Sequence, residues 1–250
     1  MLKIIQITDC HLFSDINKLG YNGINPFNSL KHVLQQVQRA KPDRVIVTGD
    51  ISGDGSEQSY QHFIALLKQH SLTDILLAIP GNHDEPSFMQ KHFPAKSLCL
   101  DSPHFALDNN WHLHLLDTQT TQSSTGHLSL ASLDALERYL SRNASDYHLI
   151  AAHHHPIPCD GWMDKHEWHN RLAFTSKVAS HSAVKGVIYG HIHMDTEYQQ
   201  DDCLYMACPS TCWQFANQKT FEVSVLKPGY RVLNLTRNGQ IKTSVQRLME

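Results

Sequence analysis

Five short apolar runs are spaced along the chain, and each of them stops at a group of polar residues. They are residues 2–8, 44–48, 75–79, 148–152 and 184–189. Apolar runs of this length that end in polar or turn residues are typical of buried β-strands. We therefore predict five buried strands, each followed directly by polar side chains.

Between these runs, apolar residues recur at helical spacing. Asn25 and Pro26 have the form of an N-cap followed by proline at the first helical position. A second helix is predicted to begin near Ser56, and leucines at positions 130, 133, 136 and 140 predict a third. Strands that alternate with helices up to about residue 190 indicate an α/β domain with a substantially parallel sheet.

After residue 190 the pattern is one of strands alone. Residues 221–226 and 230–236 are separated by Pro228-Gly229, and Asn238-Gly239 predicts a tight hairpin into residues 241–245. We expect a β-meander that adds an antiparallel sheet to the first one, so that two sheets pack together with helices outside. Because no linker or change of composition divides the 250 residues, we predict one domain, residues 1–250.

Composition excludes several classes of partner. The net charge of −3 comes without a dense cluster of Lys and Arg, so we do not expect a nucleic acid partner. No apolar stretch approaches the ~20 residues that span a bilayer, and the first residues resemble a strand rather than a signal peptide. We therefore expect a cytoplasmic protein with no membrane partner. The sequence does not indicate an oligomeric state.

Two residue types are unusual in number. The chain has 19 His and 6 Cys. We expect the cysteines to be reduced, because none has CxxC spacing, and most of the histidines outside the motifs below to be surface or packing residues.

The polar groups that end the five runs share one chemistry, since they are rich in His, Asp and Asn. They are Asp9-Cys10-His11, Gly49-Asp50, Gly81-Asn82-His83-Asp84, His153-His154-His155-Pro156 and Gly190-His191-Ile192-His193. Ligands collect at the carboxyl ends of strands in α/β sheets. We therefore expect all five groups to meet at one site.

Carboxylate, amide and imidazole groups in this number are suited to a pair of divalent cations. Asp9 and His11, two residues apart after a strand, can point at one cation, and His193 can complete its ligands. Asp50 is the natural bridge between two cations. The ligands of the second would be Asp50, Asn82, His191 and one histidine of the run 153–155.

The five motifs, in this order over residues 9–193, resemble those of the calcineurin-like metallophosphoesterase superfamily. The resemblance implies an α/β fold that is a four-layer α-β-β-α sandwich of two mixed sheets. It also implies two divalent metal ions bridged by a water or hydroxide that acts as the nucleophile. Iron with manganese, or two irons, is the expected metal content; zinc and cobalt are also acceptable to these ligands.

The resemblance further assigns roles that the residues alone leave open. The family ligand stands two residues before the proline, which selects His154; His153 would then face the opposite side of its strand, and His155 would turn away. His83 resembles the histidine that stabilises the transition state or protonates the leaving oxygen, and Asp84 would hold its ring. A turn stabilised by a His–Asp hydrogen bond is the alternative role of this pair.

Stretches outside the metal motifs resemble bacterial class III cyclic nucleotide phosphodiesterases, and those that act on 3′,5′-cyclic AMP most of all. They are residues 5–13, 49–54, 59–63, 162–170 and 209–215. The resemblance implies hydrolysis of this small cyclic nucleotide to 5′-AMP, with His11, Asn82 and His193 in contact with the substrate. The alternatives are a broader phosphodiesterase for 2′,3′-cyclic nucleotides or generic diesters, and a non-catalytic binding scaffold of the same fold.

Several other residues have an ordinary structural role as the simpler explanation. Asp54 is predicted to be a cap or turn residue, Asp117 to be structural and Cys10 to pack in the core. An apolar wall for the nucleoside is available from aromatic residues whose alternative role is core packing. These are Phe13, Trp162, Trp168, Trp213 and Phe215.

Overall fold

Two large mixed β-sheets form the centre of the computed structural model, which describes residues 1–98 and 103–249. The strands are β1 (Leu2–Ile7), β2 (Arg44–Thr48), β3 (Leu76–Ile79), β4 (His104–Ala106), β5 (Trp111–Leu115), β6 (Tyr147–Ala151), β7 (Val184–Tyr189), β8 (Glu197–Gln200), β9 (Cys203–Ala207), β10 (Gln214–Phe215), β11 (Val223–Ser224), β12 (Gly229–Leu235) and β13 (Ile241–Arg247). One sheet has the order β13-β12-β1-β2-β3 and the other the order β4-β5-β6-β7-β9-β8. The five predicted strands are β1, β2, β3, β6 and β7, and all are confirmed.

The helices lie on the outer faces of the two sheets. They are α1 (Pro26–Ala40), α2 (Glu57–Gln69), α3 (Pro86–His92), α4 (Ala95–Leu98), α5 (Leu130–Arg142) and α6 (Arg171–Ala179). The predicted cap of α1 is confirmed, since Asn25 accepts a hydrogen bond from Asn28 N. The predicted start of α2 near Ser56 is also confirmed, and Ser56 accepts a hydrogen bond from Ser59 N there. Among the described residues, the helices are too short or too polar to cross a bilayer.

Three hydrophobic cores separate four layers of structure. One core joins the first sheet to α1 and α2, and a second joins the second sheet to α5 and α6. The third lies between the sheets, where Ile4 and Ile46 of one meet Leu113, Leu149 and other residues of the other. This arrangement is the predicted four-layer α-β-β-α sandwich.

The C-terminal strands differ from the prediction of a separate antiparallel sheet. β12 pairs antiparallel with β1, in the register Leu2 to Leu235, and β13 pairs with β12, so both strands extend the first sheet. Pairing with β1 places the side chains of Leu233 and Leu235 in the core between the sheets. Burial of these two leucines therefore favours this position and register for β12. The predicted strand 221–226 is only the two-residue β11.

The hairpin at Asn238-Gly239 is confirmed. Gly239 has a φ of 79°, in the left-handed region that favours glycine. A Cβ at this position would also collide with the ring of Tyr147. The turn therefore fixes the register between β12 and β13 and brings the C-terminal strands against the second sheet.

Some of the surplus histidines form a buried chain of hydrogen bonds on the second sheet. His104 Nδ1 lies 2.9 Å from His114 Nδ1, and His114 Nε2 lies 3.0 Å from His148 Nδ1. The chain ends at the carbonyl of Asn143, 3.0 Å from His148 Nε2. Burial lowers the pKa of each of these three histidines, so they are packed as neutral rings. They are packing residues, as predicted.

Candidate metal centre

The carboxyl ends of five strands meet at one edge of the two sheets. Asp9 and His11 follow β1, Asp50 follows β2, and Asn82 follows β3. The second sheet brings the histidines after β6 and β7 to the same place. Hydrogen bonds hold the segments together, from His11 N to Asp50 O at 3.0 Å and from Gly190 N to His153 O at 3.1 Å.

The backbone turns sharply at these strand ends. Five non-glycine residues of the cluster have a positive φ, between 45° and 69°: Asp9, His11, Asp50, His191 and His193. This left-handed conformation is rare for such residues. It costs on the order of 1–3 kcal/mol each and persists where the surrounding structure holds it in place, often at functional sites. The turns aim the side chains into one shared space.

A first candidate cation position lies between Asp9, His11 and His193, all of them buried. His193 Nε2 lies 3.3 Å from Asp9 Oδ1 and 3.1 Å from His11 Nε2. His193 Nδ1 donates to the carbonyl of Trp213 at 2.8 Å. Because a carbonyl only accepts, Nδ1 of His193 carries a proton, and in the neutral ring the lone pair of Nε2 faces Asp9 and His11.

A second candidate position lies beside the first. His153 Nε2 lies 3.1 Å from Asn82 Oδ1, 3.5 Å from Asp50 Oδ1 and 3.2 Å from His191 Nδ1. The outer nitrogens of the two rings again bond to carbonyls, His153 Nδ1 to Thr48 O at 2.7 Å and His191 Nε2 to His166 O at 3.0 Å. Asp50 also reaches the first position, with Oδ2 3.7 Å from His11 Nε2.

Charges at the site suit divalent cations. Burial opposes ionisation of Asp50, but His153 outweighs it and holds the pKa of Asp50 well below its usual range. Burial lowers the pKa of His11 to about 3 and that of His191 well below its usual value. Metal ligands must be ionised carboxylates and neutral imidazoles; Asp50 supplies the first kind, and His11 and His191 supply the second.

His153 is the exception among the imidazoles. Burial opposes its protonation, but Asp50 and Asp9 outweigh burial and raise the pKa of His153 to about 9. A cation in place of that proton would balance the same two carboxylates. The buried Asp and His side chains, together with half-buried Asn82, therefore fit a cation pair.

The histidine run is oriented differently from the prediction. His153 was expected to face away from the site, but it contacts Asp50 and Asn82, whereas His154 Nδ1 lies 2.8 Å from Thr118 Oγ1. Leu149 and Ala151 face the core between the sheets, and strand alternation carries His153 onto that same face. His154 still lies near, since ligand atoms of His153, His154 and His191 are all within 4.8 Å of one another.

Asp84 also differs from the prediction that it holds the ring of His83. Its carboxylate accepts hydrogen bonds from Ile51 N and Ser52 N at 3.0 Å, Gly81 N at 2.9 Å and Tyr60 Oη at 3.1 Å. Among the described residues, its hydrogen-bond donors do not include the His83 ring. The backbone N–H groups of these two loops are held in fixed positions, so they bind the Asp84 carboxylate in place of the His83 ring. Asp84 therefore ties the loop after β2 to the loop after β3.

His83 lies at the rim of the site and is exposed. Its backbone N donates to Asp50 Oδ1 at 2.9 Å, and its ring meets the His11 ring edge-on at 5.1 Å between centroids. Gly81 makes this approach feasible, since a Cβ there would collide with Asp50 Oδ1. The His83 side chain is therefore free to face a bound molecule above Asp50.

A cavity of about 730 Å³ opens over these residues. His11, Asp50, Asn82, His191 and His193 lie among its lining residues, as does His83. Its walls are aromatic and comprise Phe13, Tyr21, Trp162, Trp213, Phe215 and Phe221. Among the described residues that line it, none is Lys or Arg.

Four of the five predicted wall residues are confirmed as lining the cavity, and Trp168 is not one of them. Trp168 is fully buried and stacks on Phe174 at 4.6 Å between ring centroids. Tyr21 and Phe221 were missed, because they lie on irregular segments without a periodic pattern.

The structural roles expected for the remaining residues are as predicted. Asp54 accepts hydrogen bonds from Ser14 N at 2.8 Å and Ser56 N at 3.1 Å, as a turn residue before α2. Asp117 accepts one from Gln119 N at 2.8 Å. Cys10 is fully buried in the first core. The five described cysteines are free thiols, and Cys99 lies outside the described residues.

The chain is similar to known proteins along its length. A family model described as calcineurin-like phosphoesterase matches residues 2–195. The 3′,5′-cyclic adenosine monophosphate phosphodiesterase CpdA of Haemophilus influenzae is 32% identical over 100% of this chain and 91% of the relative. The protein of the same name from Vibrio vulnificus is 36% identical over 99% of this chain and 90% of the relative.

Solved structures share the architecture. The crystal structure of a dimetal phosphatase from Danio rerio superposes with a TM-score of 0.68 and 17% identity, covering 93% of this chain and 94% of that chain. At this low identity the likeness shows the fold alone.

Proposed function

The chain belongs to the calcineurin-like phosphoesterase family, and on that premise we propose that it hydrolyses 3′,5′-cyclic AMP to 5′-AMP with the help of two divalent cations. The proposed substrate rests on the similarity to cyclic AMP phosphodiesterases, which extends over 99–100% of the chain. It includes the cavity walls beyond residue 195, where the family model ends.

The proposed ligands follow from the two groups of side chains. Asp9, His11 and His193 would hold one cation, and Asp50, Asn82, His153 and His191 the other, with Asp50 between them. When bound, the cations supply Lewis acid chemistry and lower the pKa of water. Iron and manganese are our proposal for the metals, and zinc or cobalt are acceptable to the same ligands.

The cavity is suited to a nucleotide that carries a single negative charge. A cyclic diester has no terminal phosphate, so it needs no Lys or Arg beyond the cations, in keeping with the described lining of the cavity. His11, Asn82 and His193 line its floor and would contact the phosphate. Rings such as Trp162 and Phe215, edge to face at 4.9 Å between centroids, offer a surface for the purine.

His83 is the proposed general acid. Formation of 5′-AMP breaks the bond between phosphorus and O3′, so the proton must reach O3′. The exposed ring of His83 lies above Asp50 at the cavity wall, where it can meet that oxygen. Asp84 is a positioning residue, because it holds the two loops that carry Asp50 and His83.

Turnover of the two cyclic isomers tests the proposed substrate. We expect metal-loaded protein to hydrolyse 3′,5′-cyclic AMP faster than 2′,3′-cyclic AMP and faster than bis(4-nitrophenyl) phosphate, and protein stripped by a chelator to be inactive until metal is restored. Faster hydrolysis of the 2′,3′ isomer or of the generic diester would favour the broader phosphodiesterase. Metal binding without turnover of any diester would favour the scaffold.

Separate alanine variants of His153 and His154 test the second cation position. We expect His153→Ala to lose about one equivalent of metal and most activity, because His153 is the ring beside Asp50 and Asn82. His154→Ala should retain the metal content of the unchanged protein, since the contacts to Asp50 and Asn82 are made by His153 and the described side-chain bond of His154 goes to Thr118. Metal per protein after dialysis is the measurement, and loss of metal from the His154 variant alone would reverse our assignment.

A further inference from the structure

A third group of potential metal ligands lies next to the proposed catalytic centre and has a different chemistry. His155 Nε2 lies 3.3 Å from Asp164 Oδ1, and Cys159 Sγ lies 3.3 Å from the same oxygen. The three ligand atoms lie within 4.8 Å of one another. His155 was expected to turn away toward solvent or substrate, but its side chain is only 1% exposed and faces Asp164.

Two of the three separations between these atoms match those of a tetrahedral site. Zinc bonds of ~2.0–2.2 Å to nitrogen and oxygen and ~2.3 Å to sulfur place neighbouring ligand atoms about 3.3–3.6 Å apart. The two separations at Asp164 Oδ1 fall in this range. A cation could therefore bind with small shifts of the side chains, and the fourth position would face the half-exposed side of Cys159 and Asp164.

The burial of His155 limits the polar contacts of its ring. Its Nδ1 is buried and has no hydrogen-bond partner among the described residues, and Asp164 is the described partner of Nε2. In contrast, the outer nitrogens of His153, His191 and His193 are bonded to carbonyls. The described polar contact of this buried ring is therefore confined to its Nε2 edge, which is the edge that faces Asp164.

We propose that His155, Cys159 and Asp164 form a third metal site, which takes a single Zn²⁺ or another borderline-soft divalent cation. The thiolate distinguishes it from the proposed catalytic pair, whose ligands are nitrogen and oxygen only, and sulfur selects zinc over manganese or magnesium. On binding, a Zn–S bond replaces the S–H bond of Cys159 and the proton leaves to solvent.

A cation here would fix one wall of the cavity. Asp164 lies in the helical turn Trp162–His166, whose residues Trp162, Met163 and His166 line the cavity. The carbonyl of His166 accepts a hydrogen bond from His191 Nε2. Ligation of Asp164 would thus tie this turn to the end of β6 and support both the aromatic wall and the orientation of His191.

Titration with Co²⁺ tests the site without relying on activity. Cobalt bound to a thiolate gives an intense charge-transfer band in the near ultraviolet, which nitrogen and oxygen ligands do not give. We expect the band to appear in the full-length protein under reducing conditions. It should appear either while Co²⁺ fills the two catalytic positions or after they are filled. Added Zn²⁺ should remove the band by displacing cobalt.

Two variants of the site and one matched control make the test specific. Cys159→Ser should abolish the band, and Asp164→Asn should weaken Co²⁺ binding at this site more than about tenfold, since even indirect contacts to a metal contribute that much. Cys203→Ala removes a buried thiol on β9 and should keep the band. No band in the unchanged protein, or an unchanged band in folded Cys159→Ser, would overturn the proposal.

Discussion

Replacement of Asp50 by alanine is expected to abolish hydrolysis of 3′,5′-cyclic AMP, with a fall in kcat of at least about 10³-fold. Its two oxygens lie 3.5 Å from His153 Nε2 and 3.7 Å from His11 Nε2, so it belongs to both proposed cation positions. Metal ions stabilise the charge of a transition state by several kcal/mol, and each 1.36 kcal/mol corresponds to tenfold in rate. Metal content should fall in parallel by one equivalent or more relative to the unchanged protein.

Asp117→Ala is the matched control for this experiment. Asp117 also follows an apolar strand of the second sheet, but it is exposed and its described hydrogen bond goes to Gln119 N. We expect this variant to retain its metal and most of its turnover, measured at saturating substrate. If Asp50→Ala kept the metal content of the unchanged protein and near-normal kcat, the proposed bridging role of Asp50 would be refuted.

The strands and helices that position the site were predictable because their patterns reflect burial on known faces. β2 and β7 have the predicted bounds, since an apolar run between polar ends leaves little choice of register. The convergence of polar residues at strand ends followed from the general geometry of α/β sheets. The family prediction is confirmed by the model match over residues 2–195.

Side-chain orientation within the motifs was predicted less well. His154 was selected by its distance from Pro156, but the strand before it decides which face each histidine takes. Leu149 and Ala151 face the core between the sheets, and this places His153 over Asp50. Counting forward from the strand would have given the observed orientation, whereas counting back from the proline crosses irregular backbone.

Contacts between distant segments could not be read from the sequence. Asp84 is adjacent to His83 in the chain, yet its carboxylate bonds to the loop after β2 and to Tyr60 on α2. The pairing of β12 with β1 likewise joins opposite ends of the chain. Both contacts depend on which hydrogen-bond donors and strand edges remain unpaired once the rest of the domain has packed. Local sequence patterns do not contain this information.

Replacement of His83 by glutamine is expected to slow hydrolysis of 3′,5′-cyclic AMP by about 10²–10⁴-fold, the usual contribution of a general acid, while leaving the metal content unchanged. The ring is exposed at the cavity wall, and the link to Asp50 is made by the backbone N of His83, which the substitution keeps. The alkoxide O3′ is strongly basic and needs a proton as it leaves. A 4-nitrophenolate leaving group does not.

The two kinds of substrate therefore separate general acid catalysis from a structural role. We expect His83→Gln to hydrolyse bis(4-nitrophenyl) phosphate at close to the unchanged rate, and His32→Gln, on the exposed face of α1, to behave normally with both substrates. Equal losses with both substrates and full metal content would assign His83 to binding the phosphate instead of donating a proton. Loss of metal together with activity would instead make His83 a metal ligand. A ring nitrogen of His83 lies within 4.8 Å of the ligand atoms of His11 and Asp50. Only a loss confined to the poor leaving group supports the general acid, because proton donation alone depends on the basicity of the departing oxygen.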